Sequence, residues 1–556
     1  MLVCGLKLTH DGGLALIEDG RLVTSVEAEK LDNNRRFQPL DRLETVADVL
    51  AAEGVAVTDV DRFVVDGWFA PLGQDQDSPV LEHVTDHGRA LRLPVAPYIE
   101  GPDTHVLDVH RFRGLPLGGR EHDYTSYHHS AQHLMGAYAA SPFPGRGEDS
   151  LVLVWDGGMT PVLYHVEPVP LRVTRLGELF PLYGSAFADF CAALPPFHSP
   201  DDRTDAARHA MPRNLDVAGK AMAYAALGTD EPGYDAVLDR ILGGLDLSFT
   251  NGDDLARALT REGGARWNGA SDADLIATFQ GYLGRRLRGA LTARMDGAAL
   301  PPRLVLAGGC ALNIKWNSLL RSCGLFEHVW VPPFPNDSGA ALGAASVEWA
   351  LHSGRPALEW GVYQGPRVRP AEADPPGYVS RPCDVDELAR ILHEHGDPVI
   401  VLSGRAELGP RALGHRSILA PATDASMKKV LNRIKDREDY RPVAPVCLEH
   451  RAPEVFSPGT PDPYMIFDHG TRPGWADKVP AIVHLDGTAR LQTVNERQSP
   501  LVHRLLTAYE RLSGIPLLCN TSANHKGRGF FPDVASAAAW GGVGAIWSDG
   551  RLYQPA

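Results

Sequence analysis

Apolar runs separated by polar turn sequences over the first 28 residues predict three short strands. The apolar runs Leu2–Leu8, Gly13–Glu18 and Arg21–Ala28 are separated by the turn-forming sequences HDGG and EDG. Residues 40–53 instead carry apolar side chains three and four positions apart, which predicts an amphipathic helix. The chain therefore begins as mixed α/β structure.

The same mixture continues to about residue 350. Ser271 and Asp274 form a capping-box sequence, which predicts the start of a helix that reaches Met295. Another helix is expected from about Ala311, after a pair of glycines. Further strands are predicted at Leu151–Trp155, Arg303–Leu306 and His328–Val331.

Residues 356–385 are rich in proline and glycine, which indicates a junction between domains. A second α/β pattern begins beyond it, and the sequence contains no recognisable internal repeat. We therefore predict an N-terminal domain over 1–355, a linker over 356–385 and a C-terminal domain over 386–556. The C-terminal strands are predicted at Val399–Leu402, Ala481–Leu485 and Pro516–Cys519, and the helices at Asp424–Lys435 and Leu501–Leu512.

The composition indicates a globular protein with a sizeable core. The 556 residues are 44% hydrophobic and 22% charged, which is ordinary for soluble domains. No apolar run approaches the roughly 20 residues that cross a bilayer, and polar residues interrupt the first apolar stretch. Seven scattered cysteines without a CxxC pair favour reduced thiols. We expect a cytoplasmic protein without a membrane span.

The net charge of −15 disfavours nucleic acid or an anionic membrane as a partner. This average hides a basic segment, because residues 404–441 contain nine Lys and Arg against five Asp and Glu. Arg405, Arg411 and Arg416 lie in its Gly- and Pro-rich part, and guanidinium groups bind phosphate in a bidentate manner. We expect these three arginines to bind anions, whereas the cations of the following helix fit a solvated helix face.

A histidine-rich stretch, HDYTSYHHSAQHLMGAY, is the densest candidate for a metal site. His129 and His133 are four positions apart and would project from one face of a helix. Asp156 and Asp337 could add oxygen ligands, and such a mixed set suits zinc, iron(II) or manganese. The alternative is that these are ordinary surface or core histidines.

Two turns contain further candidate residues. His10 and Asp11 lie between the first two strands, where a neutral imidazole could act as a general base or simply bond the backbone. Gly308 and Gly309 precede a helix and would let a phosphate approach its N-terminus. Neither a P-loop sequence nor a complete GxGxxG motif is present.

Taken together, the motifs resemble the antibiotic-type O-carbamoyltransferases, which include the nodulation, cephem, tobramycin and ansamycin enzymes. The matching segments come in family order and cover nearly the whole chain. They are HDGGLAL, HHSAQHLMGAY, WDGG, GKAMAYAALG, LAGGCALNIKWN, PPFPNDSGAALGAA, GRAELGPRALGHRSIL, KDREDYRPVAPV, HLDGTARLQTV and GIPLLCNTSANHKGR.

This resemblance implies an α/β fold with two domains. The first would be an actin-like ATPase domain related to the tRNA threonylcarbamoyl transferase, and the second a YrdC-like domain related to the threonylcarbamoyl-adenylate synthase. The second domain would convert carbamoyl phosphate and ATP, bound with Mg²⁺, into carbamoyl adenylate. The first would transfer the carbamoyl group to a hydroxyl of a small-molecule acceptor.

The resemblance also assigns roles to residues. His10, aided by Asp11, would be the general base, next to a divalent metal for which iron(II) is favoured over zinc and manganese. The metal ligands would be His129, His133, Asp156 and Asp337. Nucleotide contacts of the first domain would be Gly157, Lys220, Gly308, Gly309 and Asn313. Contacts to carbamoyl phosphate and ATP would be Arg405, Arg411, Arg416, Lys435, Arg441, His484, Arg490, Asn520, Ser522 and Arg528.

The sequence after Asn520 departs from the family pattern, which leaves Lys526 and Arg528 without a firm role. The chain looks most like the ansamycin subgroup, which implies a polyketide macrolactam as acceptor. The aromatic-rich segment 180–213 is the expected acceptor wall. The rival interpretations are a metal-dependent hydrolase using the His and Asp set alone, a tRNA threonylcarbamoylation-type protein and a non-catalytic actin-like scaffold.

Overall fold

The chain folds into mixed α/β structure built around large sheets. The computed structural model describes residues 1–70, 75, 77–84, 90–197, 215–245, 257–258 and 269–556. None of the helices in these residues combines the length and the apolar character that crossing a bilayer requires.

The first sheet contains the three strands predicted at the start of the chain. Residues 2–127 form β1 (Leu2–Lys7), β2 (Gly13–Glu18), β3 (Arg21–Glu27), β4 (Arg62–Asp66), β5 (Val80–Val84), β6 (Ala90–Pro94), β7 (His110–Leu117) and β8 (Arg120–Tyr127). The sheet order is β3-β2-β1-β4-β8-β7, while β5 and β6 form a separate hairpin. Strands β1, β2 and β3 are antiparallel neighbours, whereas β4 runs parallel to β1 and to β8.

The second sheet repeats this topology. Its strands are β9 (Ser150–Val154), β10 (Val162–Pro168), β11 (Leu171–Glu178), β12 (Arg303–Ala307) and β13 (His328–Trp330), in the order β11-β10-β9-β12-β13. Again an antiparallel meander is followed by two parallel strands. The duplication agrees with the predicted actin-like architecture, although the two halves share no sequence repeat that would have revealed it.

Two central helices, His129–Ala140 and Ala340–Ser353, lie between these sheets. The described helices before residue 354 are α1 (Glu29–Asp32), α2 (Glu44–Ala52), α3 (His129–Ala140), α4 (Ala186–Ala192), α5 (Val217–Tyr224), α6 (Asp235–Gly243), α7 (Asp272–Met295), α8 (Ile314–Ser322) and α9 (Ala340–Ser353). Gly136 of α3 faces Gly343 of α9. A Cβ added to Gly343 would lie 2.2 Å from the carbonyl oxygen of Gln132. This close crossing brings the start of α3 next to the residues that precede α9.

The C-terminal part forms a third, mixed sheet. Its strands and neighbours are β14 (Tyr378–Pro382), β15 (Val399–Leu402), β16 (Arg416–Ala420), β17 (Ala444–Leu448), β18 (Phe456–Ser457), β19 (His469–Thr471), β20 (Thr488–Ala489), β21 (Gln492–Val494), β22 (Leu517–Ser522), β23 (Ile546–Ser548) and β24 (Arg551–Pro555). The sheet order is β14-β24-β23-β15-β16-β22-β17-β21, and β18, β19 and β20 form a small separate sheet. The helices are α10 (Val385–His395), α11 (Ser426–Ile434), α12 (Ala452–Val455), α13 (Pro473–Ala476), α14 (Pro500–Ser513) and α15 (Val534–Trp540).

The segment 356–385 connects these parts along the edge of the first sheet. The Leu22 amide of β3 donates to the carbonyl of Glu359 at 2.9 Å, and the Ser25 amide donates to the carbonyl of Gln364 at 3.0 Å. Strand β14 also begins inside this segment and pairs with β24. The segment predicted as a linker is therefore built into two sheets.

Most predicted elements are confirmed, and one is wrong. The Ser271 hydroxyl caps α7 by accepting from the Asp274 amide, as the capping-box sequence predicted. The strand predicted at Ala481–Leu485 is instead a short 3₁₀ turn at Pro480–Ile482. Pro480 has no amide to donate to a sheet, and the His484 amide closes a turn by donating to the carbonyl of Thr488.

Candidate active sites

Four buried side chains meet at the N-terminal ends of the central helices. The ligand atoms of His129, His133, Asp156 and Asp337 all lie within 4.8 Å of one another. His129 Nε2 is 2.9 Å from His133 Nε2, and both nitrogens are 3.4 Å from Asp337 Oδ1. The fold therefore brings together all four residues that the sequence analysis grouped, and we name them the His/Asp cluster.

Each member of the His/Asp cluster is placed by the end of an element. Helix α3 begins at His129, so His133 follows one turn later on the same face. Asp337 directly precedes α9, and Asp156 follows β9. The Tyr98 hydroxyl donates to Asp156 Oδ2 at 2.7 Å, and the Gly309 amide donates to Asp156 Oδ1 at 2.6 Å.

Asp66 and Lys7 support the cluster from the first sheet. His129 Nδ1 lies 2.9 Å from both Asp66 carboxylate oxygens, so a proton on Nδ1 leaves the Nε2 lone pair facing the cluster. Lys7, which is fully buried, lies 2.7 Å from Asp66 and 2.9 Å from Asp337. These contacts fix the orientation of one imidazole and one carboxylate.

The charges of the cluster are strongly coupled. Burial alone would lower the pKa of His129, but the carboxylates of Asp66 and Asp337 raise it to about 9, so a cation has to displace the proton from Nε2 before this nitrogen can bind it. Burial would likewise raise the pKa of Asp337, but Lys7 and His129 hold it well below its usual range. Two imidazole nitrogens that face shared carboxylates at this spacing form a donor set that fits a divalent cation such as zinc, iron(II) or manganese.

The other two histidines of the histidine-rich stretch contact backbone carbonyl oxygens. His122 Nε2 contacts the carbonyl oxygen of Leu117 at 3.1 Å, and His128 Nδ1 contacts that of Pro97 at 3.1 Å. Their side chains lie outside the His/Asp cluster. These two residues therefore fit the alternative given above, that they are ordinary structural histidines.

His10 and Asp11 form a pair beside the cluster. His10 Nδ1 is 2.9 Å from Asp11 Oδ2, and His10 Nε2 is 3.3 Å from Asp337 Oδ2. Asp11 has a φ of 52°, a left-handed conformation that aspartate tolerates better than most residues. With a proton on Nδ1 held by Asp11, Nε2 is presented to the cluster with a lone pair, as a general base requires.

The predicted nucleotide contacts of the first domain are largely engaged within the protein. Gly309 already donates its amide to Asp156, and Asn313 caps α8 by accepting from the amides of Lys315 and Trp316. Lys220 is paired with Asp216 on its own helix.

Gly157 and Gly308, the other two predicted glycine contacts, differ in the space around them. Gly157 faces open space, so a ligand can approach it. Gly308 has a φ of 87°, and its site has no room for a Cβ, which would lie 2.3 Å from the Trp155 carbonyl oxygen. Gly308 therefore shapes the turn that delivers Gly309 to Asp156.

A second site is an open cavity between the C-terminal and N-terminal parts of the chain, with a volume of about 1160 Å³ that includes the solvent at its mouth. We name it the arginine cavity, because five arginines line it: Arg36, Arg411, Arg437, Arg441 and Arg490. His484, Asn520 and Ser522, three of the predicted carbamoyl phosphate and ATP contacts, also line it, and burial lowers the pKa of His484 to about 3, which keeps this imidazole neutral.

The cations of the arginine cavity are only partly matched by anions: Arg441 lies 3.7 Å from Glu438, and Asp486 of the lining is paired with Lys315. Within the described chain, the buried Nε atoms of Arg411 and Arg490 have no hydrogen-bond acceptor. Burial and the neighbouring arginines lower the pKa of Arg411 and of Arg437, because both disfavour the charged form of the guanidinium group. Bound phosphate groups would relieve that repulsion, so the cavity is suited to polyanions.

Four predicted anion contacts have other roles. Arg405 pairs with Glu53 and donates to the carbonyl of Gly365, and the Arg416 guanidinium donates to four backbone carbonyls. Lys435 Nζ donates to the carbonyl of Ser522 at 2.7 Å and to the carbonyl and side-chain oxygens of Asn524. Arg528 is exposed and contacts the carbonyl of Asn33 at 3.4 Å. The first three use their donors within the protein, and all four lie outside the cavity lining.

Two arginines of the cavity, Arg36 and Arg437, were not among the predicted anion contacts. Arg437 stands in the basic segment and could have been chosen with Arg441, since both follow α11. Arg36 lies 368 residues before the start of the basic segment, in a stretch without a motif, so no local signal pointed to it.

The expected acceptor wall is only partly described. Phe180 is 5% exposed and packs edge-to-face on Trp155, with ring centroids 5.4 Å apart, so it belongs to the core. Residues 198–213 lie outside the described residues.

An aromatic stack instead leads out from the His/Asp cluster. The Tyr98 ring stacks on His129 at 4.4 Å, and the Phe69 ring stacks on Tyr98 at 3.8 Å. Trp68 lies edge-on to both His10 and His129. Phe69 is 37% exposed, so the stack reaches the surface.

Comparison with known proteins gives matches along the whole chain. The family models described as carbamoyltransferase N-terminus and carbamoyltransferase C-terminus match residues 2–346 and 389–541. Nodulation protein U of Rhizobium tropici is 46% identical over 572 residues, covering 100% of this chain and 96% of its own. The 3'-hydroxymethylcephem-O-carbamoyltransferase of Amycolatopsis lactamdurans is 34% identical over 543 residues, covering 95% of this chain and 94% of its own.

Similarity to solved structures is weaker. Component A of the (R)-2-hydroxyglutaryl-CoA dehydratase of Acidaminococcus fermentans matches 64% of this chain and 99% of its own, with a TM-score of 0.32 and 13% identity.

Proposed function

Since the chain belongs to the carbamoyltransferase family, we propose that it is an ATP-dependent O-carbamoyltransferase that works in two half-reactions. The observation that carries the proposal is the presence of two chemically different centres in one chain. The arginine cavity is suited to polyanions, and the His/Asp cluster with His10 is suited to deprotonating a hydroxyl.

The first half-reaction takes place in the arginine cavity. Water converts carbamoyl phosphate to carbamate and phosphate, and a carbamate oxygen then attacks the α-phosphorus of ATP, which is bound with Mg²⁺. Pyrophosphate leaves, and carbamoyl adenylate remains. The arginines offset the repulsion between the two bound anions, and Arg411 and Arg490 supply guanidinium donors that no protein acceptor occupies in the described chain.

The second half-reaction takes place at the His/Asp cluster. The acceptor hydroxyl oxygen attacks the carbamoyl carbon while His10 Nε2 takes the hydroxyl proton, and Asp11 stabilises the resulting imidazolium. The bond between the carbamoyl carbon and the adenylate oxygen breaks, and AMP leaves. A divalent metal, for which we favour iron(II), would be held by His129, His133, Asp156 and Asp337 and would act as a Lewis acid towards the oxygen atoms of the adenylate.

The aromatic stack supports an acceptor with an apolar ring face. An exposed Phe69 packed on Tyr98 offers a flat surface beside His10, and rings bury their faces well against aromatic side chains. We propose an ansamycin macrolactam as the first acceptor to test and a hydroxymethylcephem, the compound class named in one relative, as the second. We also propose that the C-terminal domain is YrdC-like, because the C-terminal part of the chain contributes most of the residues that line the arginine cavity.

The test of this function measures pyrophosphate, AMP and carbamoylated acceptor in one reaction. With ATP, carbamoyl phosphate and Mg²⁺, the purified protein should release pyrophosphate, and adding the acceptor should give an O-carbamoyl product and AMP. Removing tightly bound metal with a chelator and restoring only Mg²⁺ should stop product formation while pyrophosphate release continues.

The control omits ATP. A metal-dependent hydrolase or a direct transfer from carbamoyl phosphate would not need ATP, so equal product yield without it would contradict the adenylate mechanism. Mass spectrometry of the acceptor from the paired reactions decides between these outcomes.

A further inference from the structure

Residues 33–38, which follow α1, contact both reaction centres, and we name them the connector loop. Arg36 lines the arginine cavity. The next two residues bind the turn that holds the general base, because the carbonyl of Phe37 accepts from the Asp11 amide at 3.3 Å and that of Gln38 accepts from the Gly12 amide at 2.8 Å. The residue that lines the cavity therefore directly precedes the backbone that holds the turn containing His10.

Arg36 has the character of a ligand contact. In the part of the chain that the structure describes, no carboxylate is paired with its half-buried side chain, whose guanidinium carbon lies 4.5 Å from the Phe37 ring centroid. It faces Arg411, Arg437 and Arg441, and its charge contributes to the lowered pKa of all three. A cation held among other cations without an anion gains most when a polyphosphate binds.

The connector loop is fixed tightly enough to transmit such a contact. Phe37 has a φ of 59°, and its amide donates to Glu29 at 2.9 Å, while the Arg36 amide donates to the carbonyl of Gly527 at 3.0 Å. Gly12 packs so closely on the chain beyond the loop that a Cβ there would lie 2.0 Å from the Leu40 amide nitrogen. A shift of Arg36 towards a bound anion would therefore move Asp11 and Gly12.

We propose that Arg36 is a polyphosphate contact that the N-terminal half contributes to the arginine cavity, and that through the connector loop it is a positioning residue for the His10–Asp11 turn. Filling the cavity then holds the general base in place before the acceptor reacts. The inference rests on the proposed function in that the bound polyphosphate is taken to be ATP or the adenylate derived from it.

The binding half of the proposal is tested with inorganic pyrophosphate as the probe. Titration calorimetry on the full chain should show that Arg36→Ala weakens pyrophosphate binding by about 10- to 100-fold, the usual effect of losing a charge-assisted contact. Arg36→Lys keeps the charge and should recover part of the affinity. Arg35→Ala removes the neighbouring exposed arginine and should bind as the unaltered protein does.

The positioning half is tested by hydrogen exchange at the Asp11 and Gly12 amides, both of which donate to the connector loop. Saturating pyrophosphate should slow their exchange in the unaltered protein and in Arg35→Ala. In Arg36→Ala, saturating pyrophosphate should leave their exchange unchanged, even though the other arginines still bind the probe.

Two results would overturn the proposal: unchanged pyrophosphate affinity in Arg36→Ala, or equal protection of Asp11 and Gly12 in Arg36→Ala and the unaltered protein. Neither measurement depends on turnover. Failure of the proposed function would show separately, as no pyrophosphate release from ATP and carbamoyl phosphate by the unaltered protein.

Discussion

Arg405 and Arg411 stand six positions apart in the same basic stretch, yet their surroundings give them opposite roles. Arg405 reaches Glu53 of the N-terminal part and a backbone carbonyl, so its charge is neutralised within the protein. Arg411 faces other arginines in the cavity. Residue type and local sequence are alike, and only the partners differ.

The two centres can be separated by one substitution in each. His10→Asn removes the proposed base but keeps a polar side chain, so transfer to the acceptor should fall by about 10²- to 10⁴-fold while pyrophosphate release continues. Arg411→Ala should raise the KM for carbamoyl phosphate and slow pyrophosphate release instead. Parallel assays of pyrophosphate and product check both expectations.

Arg405→Ala is the matched control for Arg411→Ala. It breaks a contact between the two parts of the chain. Its main effect should therefore be a lower free energy of unfolding, with little change in the KM for carbamoyl phosphate. If Arg405→Ala raised that KM as much as Arg411→Ala does, our separation of the two arginines would be wrong. Loss of pyrophosphate release in His10→Asn would likewise refute the division of labour.

At the scale of elements, the crossing of α3 and α9 builds the His/Asp cluster. His129 and His133 come from one helix, and Asp337 from the turn before the other. Their convergence requires the backbones to approach at Gly136 and Gly343, where side chains would hold them apart. The geometry of the His/Asp cluster is thus a consequence of two glycines that do not belong to it.

Gly343→Ala should therefore disturb the cluster from a distance. The added Cβ would lie 2.2 Å from the Gln132 carbonyl oxygen, and overpacking of this kind costs about 1–3 kcal/mol. We expect a lower free energy of unfolding and less bound divalent metal per chain, measured by denaturant titration and by elemental analysis.

The control for this prediction is Gly289→Ala in α7. Gly289 is exposed and helical, and its Cβ would meet open space, so alanine should stabilise the helix by up to about 1 kcal/mol and leave the metal content unchanged. Full metal content in Gly343→Ala would show that the close crossing is not needed for the cluster.

At the scale of the whole molecule, buried polar contacts join the N-terminal and C-terminal parts. Lys30 Nζ donates to Glu27 at 2.8 Å and to the carbonyls of Glu407 and Gly409 at 2.6 and 2.7 Å. The Glu407 carboxylate in turn accepts from the amides of Leu413, His415 and Arg416, which fixes the loop that presents Arg411. The arginine cavity is consequently shaped by both parts of the chain.

Lys30→Met should weaken this junction strongly. It leaves the buried Glu27 charge and two carbonyls without their partner, which costs about 3–5 kcal/mol for a buried pair. Denaturant unfolding should show this loss, and the KM for carbamoyl phosphate should rise because the loop that carries Arg411 loses its support.

Lys526→Met is the matched control, because it removes an exposed pair with Asp436 and should change the free energy of unfolding by about 0–1 kcal/mol. Equal losses in the two variants would mean that burial of the Lys30 contacts does not strengthen the junction.

The sequence by itself determined the local structure and the residues whose chemistry is marked by spacing. The β1, β2 and β3 meander follows from short apolar runs and the turn signals between them, and His129 with His133 follows from the period of a helix. Both depend on neighbours a few positions apart, so both are readable in the chain. The resemblance of the motifs likewise identified the family.

Only the tertiary structure decided which charges are free to meet a ligand. Asp66 and Lys7 contact the His/Asp cluster, and Arg36 lines the arginine cavity. Arg405 and Arg416 instead bond groups of the protein outside the cavity lining. The physical reason is that the role of a charged group depends on its burial and on the partners around it. Those partners come from positions up to several hundred residues away, which no local pattern records.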